Sequence, residues 1–292
     1  MAHVLVLVAA DAQALPAAQA RIQPLLGEEA AWTTLGPGAA ERSLPRPAAD
    51  LHGALDARLE NLPVDFALIP GGADRRKRLL VADMDSTIIG CECLDELADF
   101  AGVKAEVSAI TERAMRGEID FEGALRERVG MLKGLPADDL RRCFDERVRL
   151  NPGARALVST MAAHGARCVL VSGGFDFFTG RVARAAGFQA DQANHLIEAD
   201  GRLTGRVREP ILGREAKLAA LRQEAAALEL SLGEVVAIGD GANDLAMIEA
   251  AGLGVAYRAK PVVAARADVR IDHADLTALL YFQGYRSDEF RG

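Results

Sequence analysis

At 292 residues and 31.0 kDa the chain is long enough for one large domain or two ordinary ones, so its core needs no disulfide or metal staple. Half of the residues are hydrophobic and 26% are charged, which excludes a disordered chain, and a net charge of -8 leaves no overall field to draw it to nucleic acid or anionic lipid. The cysteines Cys91, Cys93, Cys143 and Cys168 form no regular framework and fit a reducing cytoplasm, while the apolar run Val4–Ala10 lacks a basic flank and is too short for a membrane span.

Apolar runs at Val4–Ala9, weakly at Ala30–Leu35, and at Phe66–Pro70 alternate with helical patterning at Ala14–Leu26 and Ala48–Leu59. This predicts a small α/β domain over residues 1–70. Gly71-Gly72 and then Arg75-Arg76-Lys77-Arg78 predict a solvated linker at 71–78. From Leu79 the pattern changes to short apolar segments that end in small or acidic residues: Leu79–Ala82 into Asp83, Cys168–Val171 into Ser172, and Val235–Ile238 into Gly239-Asp240. Such runs suit strands buried on both faces. Ala154–His164, Phe177–Ala186, Glu215–Glu229 and Asn243–Ala251 are patterned as crossover helices, giving an α/β domain over 79–292 built on a doubly wound parallel sheet. Ligands of such sheets sit beyond the carboxyl ends of the strands, where all three polar strand ends should meet.

An interval too long for one crossover, at about 88–150, predicts an inserted helical cap of Leu94–Ala101, Lys104–Arg116, Phe121–Leu132 and Ala137–Phe144, with stops at Gly102, Gly117 and Gly134-Leu135-Pro136. Asn194–Glu198 and Arg202–Val207 around Ala199-Asp200-Gly201 predict a hairpin near the crevice. Tyr281-Phe282-Gln283-Gly284 resembles part of a cleavable tag but is read as native chain.

Two carboxylates in Asp83-Met84-Asp85-Ser86-Thr87 follow a buried strand directly and repel one another unless a cation or proton lies between them. Asp240 and Asp244, in Gly239-Asp240-Gly241-Ala242-Asn243-Asp244, bring more carboxylates to the same edge. An oxygen-only donor set favours Mg²⁺ over zinc, and Cys91 and Cys93 have no second close pair. Ser172-Gly173-Gly174 can offer a hydroxyl and successive N–H groups to an anion. Lys217 lies at the start of a predicted helix, where the dipole disfavours a cation, so another group is expected to hold it.

These parts, in this order and spacing, resemble the haloacid-dehalogenase-type phosphotransferases, and the wording of Asp83–Thr87, Glu92, Val171–Phe175 and Gly239–Leu245 is similar to the phosphoserine phosphatase family among them. The resemblance implies a Rossmann-like core and an aspartyl-phosphate mechanism, with Asp83 as nucleophile and Asp85 as general acid, then base. It implies Mg²⁺ on the Asp83 carboxylate, the Asp85 backbone carbonyl and Asp240, with Gly174 and Asp244 in support. Ser172, the Gly173 N–H and Lys217 would bind phosphoryl oxygens, and Asn243 would add a polar contact. In the cap, Glu92 would meet the ammonium and Arg128 the carboxylate of O-phospho-L-serine, with Met115 and Phe121 excluding water. The first seventy residues lie outside the resemblance and are similar to small amino-acid-binding regulatory (ACT-like) folds. Transfer of the phosphoryl group to another alcohol remains an alternative. A signalling receiver is disfavoured by Asp85 and by the cap, and the oligomeric state, homodimer included, stays open.

Overall fold

The structure, a computed structural model, describes residues 3–27, 31–45, 47–115 and 118–292, apart from the side chains of Ala73, Met115 and Arg214. The first part of the chain runs β1 (His3–Ala9), α1 (Ala14–Leu26), β2 (Thr33–Gly36), β3 (Ala39–Leu44), α2 (Leu51–Leu59) and β4 (Val64–Pro70). Its four strands pair antiparallel in the order β2-β3-β1-β4, the βαββαβ arrangement of ferredoxin-like units. Strand β1 reads as a continuous apolar run because both of its faces are covered. Leu5 and Leu7 pack with Ile22 and Leu55 of the helices, whereas Val4, Val6 and Val8 join the main core of the rest of the molecule. Strand β3 gave no sequence signal, since Glu41 and Arg42 interrupt its apolar pattern.

Within residues 71–78, Gly72, Asp74, Arg76 and Arg78 are exposed, as a solvated connection would have them, but Arg75 is held by the fold. Arg75 donates from Nε to the Phe282 carbonyl at 2.8 Å, from Nη1 to Glu41 at 2.6 Å and from Nη2 to the Tyr281 carbonyl at 3.2 Å. Composition marks such a run as exposed, but Arg75 finds its acceptors 34 residues back at Glu41 and 206 and 207 residues on at Tyr281 and Phe282.

The second part runs β5 (Leu79–Ala82), α3 (Cys93–Phe100), α4 (Lys104–Met115), α5 (Phe121–Met131), α6 (Asp138–Arg147), α7 (Ala154–Ala163), β6 (Arg167–Phe175), α8 (Asp176–Ala186), β7 (Ala190–Asn194), β8 (Leu196–Ala199), β9 (Arg202–Val207), α9 (Arg214–Ala227), β10 (Val235–Gly239), α10 (Leu245–Ala250), β11 (Leu253–Tyr257), α11 (Pro261–Ala264), β12 (Val269–Ile271) and α12 (Ala278–Phe282). Six parallel strands order as β12-β11-β10-β5-β6-β7, so the three predicted strands form the centre of the sheet. The hairpin is β8–β9, turning at Asp200 and Gly201 with φ of 50° and 71°. Asn194 ends β7 instead of opening that hairpin, a boundary hidden by the polar sequence of β7. Tyr281 and Phe282 are buried in α12.

The cap consists of α3 to α6, and its neck is closed by a bridge between Ile89 and Leu150. The β8–β9 hairpin leans on the cap, with Gly134 N–H donating to the Leu203 carbonyl and Leu203 N–H to the Leu135 carbonyl. No helix among the described residues is long and apolar enough to cross a membrane.

Candidate active site

Where β5 ends, Asp83 is still extended, and the chain reverses at Ser86 with φ of 57°. This turn keeps the Asp83 carboxylate at the strand end beside the loop after β10. Lys217 of α9 reaches up beneath it and donates both to Asp83 and, at 2.6 Å, to Asp244. These two carboxylates, not the helix dipole, account for a buried cation near a helix start. Burial works against the ammonium, but Asp244 and Asp83 override it and hold the group above its usual range.

Carboxylate oxygens of Asp83, Asp240 and Asp244, all buried, lie within 4.8 Å of one another. Burial, and then the charge of Asp244, pushes the Asp83 carboxyl well above the ordinary range, with Lys217 offsetting part of the effect. The same two causes push Asp240 up to about 6. Three carboxylates thus face a single ammonium, an excess of negative charge in a low-dielectric place. A donor set made only of oxygens with that charge can hold a hard divalent cation. Asp244, expected only in support, is a full member of this trio, and its other oxygen accepts the Gly241 N–H at 3.1 Å.

Asp85 turns its carboxylate away from the trio. Its Oδ1 accepts the Cys93 N–H at 2.9 Å and its Oδ2 accepts the Ser172 hydroxyl at 3.1 Å, while burial raises its pKa above the usual carboxylate value. The arrangement suits a carboxyl that carries a proton and gives it up. Ser172, Gly173 and Gly174 are among the last, irregular residues of β6, just before α8. The pairing with β7 breaks between Val171 and Phe175, which frees the Gly174 N–H to donate to Ser172 Oγ at 2.8 Å. A Cβ on Gly174 would fall 3.0 Å from Ser172 Oγ and 3.1 Å from Asp85 Oδ2, so the close approach demands glycine. Asn194, buried at the end of β7, fixes the same segment by donating to the Gly173 carbonyl at 2.8 Å.

Above this floor lies a cavity of about 900 Å³, lined below by Asp83, Asp85, Asp240, Ser172–Gly174 and Asn243, and on the cap side by Glu92, Thr111, Phe121 and Arg128. Glu92 accepts the Ser86 hydroxyl at 2.6 Å; burial, and then the charge of Asp85, pushes its carboxyl up to about 8. Arg128 is buried and donates from Nε to the Ala124 carbonyl and from Nη1 to the Thr111 hydroxyl, with no carboxylate in hydrogen-bond contact among the described residues. The sequence-predicted residues therefore converge, with three exceptions. Lys217 and its partner Asp244 sit under the floor and do not line the cavity, and the side chain of Met115 lies outside the described residues. Sequence reading missed Cys93, Thr111 and Asn194, for which motif spacing offers no signal. It also passed over Ser86 and Thr87, although both stand in the quoted pentapeptide; Thr87 Oγ1 is 3.5 Å from Asp240.

Residues 80–249 match the family model described as haloacid dehalogenase-like hydrolase. The chain belongs to that family. It is 44% identical to the phosphoserine phosphatase of Archaeoglobus fulgidus over 235 residues, which is 80% of this chain and 68% of that protein. Among solved structures, a HAD family hydrolase from Salmonella enterica serovar Typhi superposes with a TM-score of 0.86 at 29% identity, covering 97% of this chain and 98% of the other. A phosphoserine phosphatase captured with a phospho-aspartyl intermediate analogue superposes with a TM-score of 0.67 at 38% identity, covering 71% and 99%. The hydrolase fold thus extends over this chain, the N-terminal unit being shared with the Salmonella protein.

Proposed function

We propose that this chain is a phosphomonoesterase that hydrolyses O-phospho-L-serine to L-serine and phosphate through an aspartyl-phosphate on Asp83, with Mg²⁺ as cofactor. The observation that carries the reading is one cavity with two carboxyl groups in its floor, Asp83 to attack and Asp85 to pass a proton, and an acidic and a basic side chain, Glu92 and Arg128, on its cap wall. An amino acid esterified with phosphate matches all three: its phosphoryl group towards Asp83, its ammonium towards Glu92 and its carboxylate towards Arg128.

Asp83 attacks phosphorus in line and the bond to the seryl oxygen breaks, while Asp85 gives its proton to that oxygen. Asp85, now a carboxylate, takes a proton from water as the water attacks the aspartyl-phosphate. Phosphate leaves and both carboxyl groups return to their starting forms. Ser172, the Gly173 N–H and Asn243 hold phosphoryl oxygens, and Lys217 keeps Asp83 oriented from below. Asp83, Asp240 and the Asp85 carbonyl, with Asp244 and Gly174 in support, would hold Mg²⁺, which when bound would supply positive charge that offsets repulsion between nucleophile and phosphate. Phe121, on the cap side of the cavity, excludes water. The reaction is the closing step of serine biosynthesis, carried out in the cytoplasm.

The test is phosphate release from O-phospho-L-serine, phosphothreonine, phosphoethanolamine and sugar phosphates, each with Mg²⁺ and with EDTA. The reading requires Mg²⁺-dependent preference for O-phospho-L-serine. Release from the other esters alone would leave the floor chemistry and remove the substrate assignment.

A further inference from the structure

Arg128 raises a physical question that its expected ligand does not answer. Buried guanidinium groups ordinarily sit against a carboxylate, because an uncompensated charge is costly to desolvate. Here the nearest polar partner is neutral. Thr111 Oγ1, on α4, accepts the Arg128 Nη1–H at 3.0 Å and lies 3.0 Å from Asp95 Oδ1, on α3. A hydroxyl has one proton to donate, and a carboxylate is a stronger acceptor for it than the Val107 carbonyl 3.1 Å away. The second oxygen of Asp95 is fixed by the Ser108 hydroxyl at 2.7 Å. Arg128 is thereby tied to an anion through a relay that crosses three cap helices. Asp95 is also the largest electrostatic influence supporting the arginine's charge against burial.

The relay has a consequence that a direct ion pair would not. A carboxylate touching Arg128 would take two N–H groups of the fork and close it to other anions. Thr111 takes one, and Ala124 takes the Nε–H. Nη2 makes no hydrogen bond among the described residues, in a side chain that lines the cavity. We propose that Thr111 and Asp95 are positioning residues for substrate specificity, holding the Arg128 fork towards the substrate carboxylate while leaving its outer N–H groups open. The inference rests on the reading of Arg128 given under Proposed function and adds the device that makes it selective.

The test compares kcat/KM on O-phospho-L-serine with that on O-phosphoethanolamine, which carries the ammonium and phosphate but no carboxylate. Thr111→Val keeps the shape and removes the hydroxyl. It should lower the phosphoserine-to-phosphoethanolamine ratio by roughly 10-fold, mainly through KM, whereas Thr111→Ser should stay within about 2-fold of the parent enzyme. Asp95→Asn should lower the ratio by less. Equal losses on both substrates, with no rescue by serine, would reduce Thr111 to packing and overturn the proposal. So would an unchanged ratio in Thr111→Val where Arg128→Ala lowers it. If Arg128→Ala itself leaves the ratio unchanged, the assignment of Arg128 to the carboxylate fails, and the relay falls with it. Turnover of phosphoethanolamine reports in every variant that the cap is folded over a working floor.

Discussion

The floor and the cap wall of the cavity treat charge in opposite ways. Below, Lys217 is clamped between Asp83 and Asp244, so the protein itself supplies each of these groups with a partner of opposite sign. Above, half-buried Glu92 meets a serine hydroxyl, and buried Arg128 meets a threonine hydroxyl and a backbone carbonyl; neither touches a counter-ion among the described residues. A charge paired within the fold serves position and chemistry. A charge buried without its counter-ion is costly unless a ligand brings one, and two such groups of opposite sign define a ligand that is itself zwitterionic. Chemistry and recognition should therefore separate under mutation.

The sharpest break comes from the floor. Asp83→Asn keeps an oxygen for Lys217 but cannot form the acyl phosphate, so phosphate release on every ester should fall by at least about 10⁴-fold with the thermal midpoint little changed. Retention of substantial turnover would place the nucleophile elsewhere. Next comes Glu92→Gln. The carboxyl of Glu92 stands near 8 in the folded chain against 4.5 ordinarily, so between those values the folded state holds a proton that the unfolded state has released. That component of stability is full below about 4.5 and is lost as pH rises through 8. Glutamine, which mimics the protonated form, should flatten the profile and leave the variant more stable than the parent at pH 8 and equal to it at pH 4. Binding should move the other way. Removal of the charge-assisted contact with the substrate ammonium should raise KM for phosphoserine by roughly 10- to 100-fold at pH 8. A variant that is both less stable and unchanged in KM would erase the distinction between floor and wall.

How much of this was legible in the sequence follows the same division. Asp83, Ser172 and Asp240 each stand where an apolar run ends, with Asp85 two residues after Asp83, and the rule that strand ends gather at one sheet edge brings them together without knowledge of packing. Glu92 and Arg128 read as ordinary helix-surface charges; only the wording of a family singles them out. Thr111, Asp95 and Cys93 carried no signal, because their roles depend on how three helices and a loop meet. The outer strands β7, β11 and β12 escaped for a simpler reason: β7 is polar, β12 has three residues, and none of the three leads into the acidic or serine-glycine motifs that marked the inner strands. Arg75 shows the converse error, a basic residue assigned to solvent whose acceptors come from opposite ends of the chain.

The comparison also predicts what a well-satisfied charge far from the cavity does. Asp65 of β4 is buried where the N-terminal unit meets the sheet edge. Its two oxygens accept backbone N–H groups of Asp272, His273 and Ala274, at 2.9, 3.2 and 2.8 Å. Burial raises its pKa while these three bonds pull it down, so the protein supplies nearly everything the carboxylate needs and no ligand is called for. Asp65→Ala orphans three N–H groups at the junction, which should cost about 1–3 kcal/mol and lower the thermal midpoint by several degrees. Phosphoserine turnover at 25 °C should remain within about 2-fold, since nothing in the cavity touches this residue. A large loss of kcat with an unshifted midpoint would mean that the junction speaks to the active site, and that a charge satisfied within the fold can serve function as well as position.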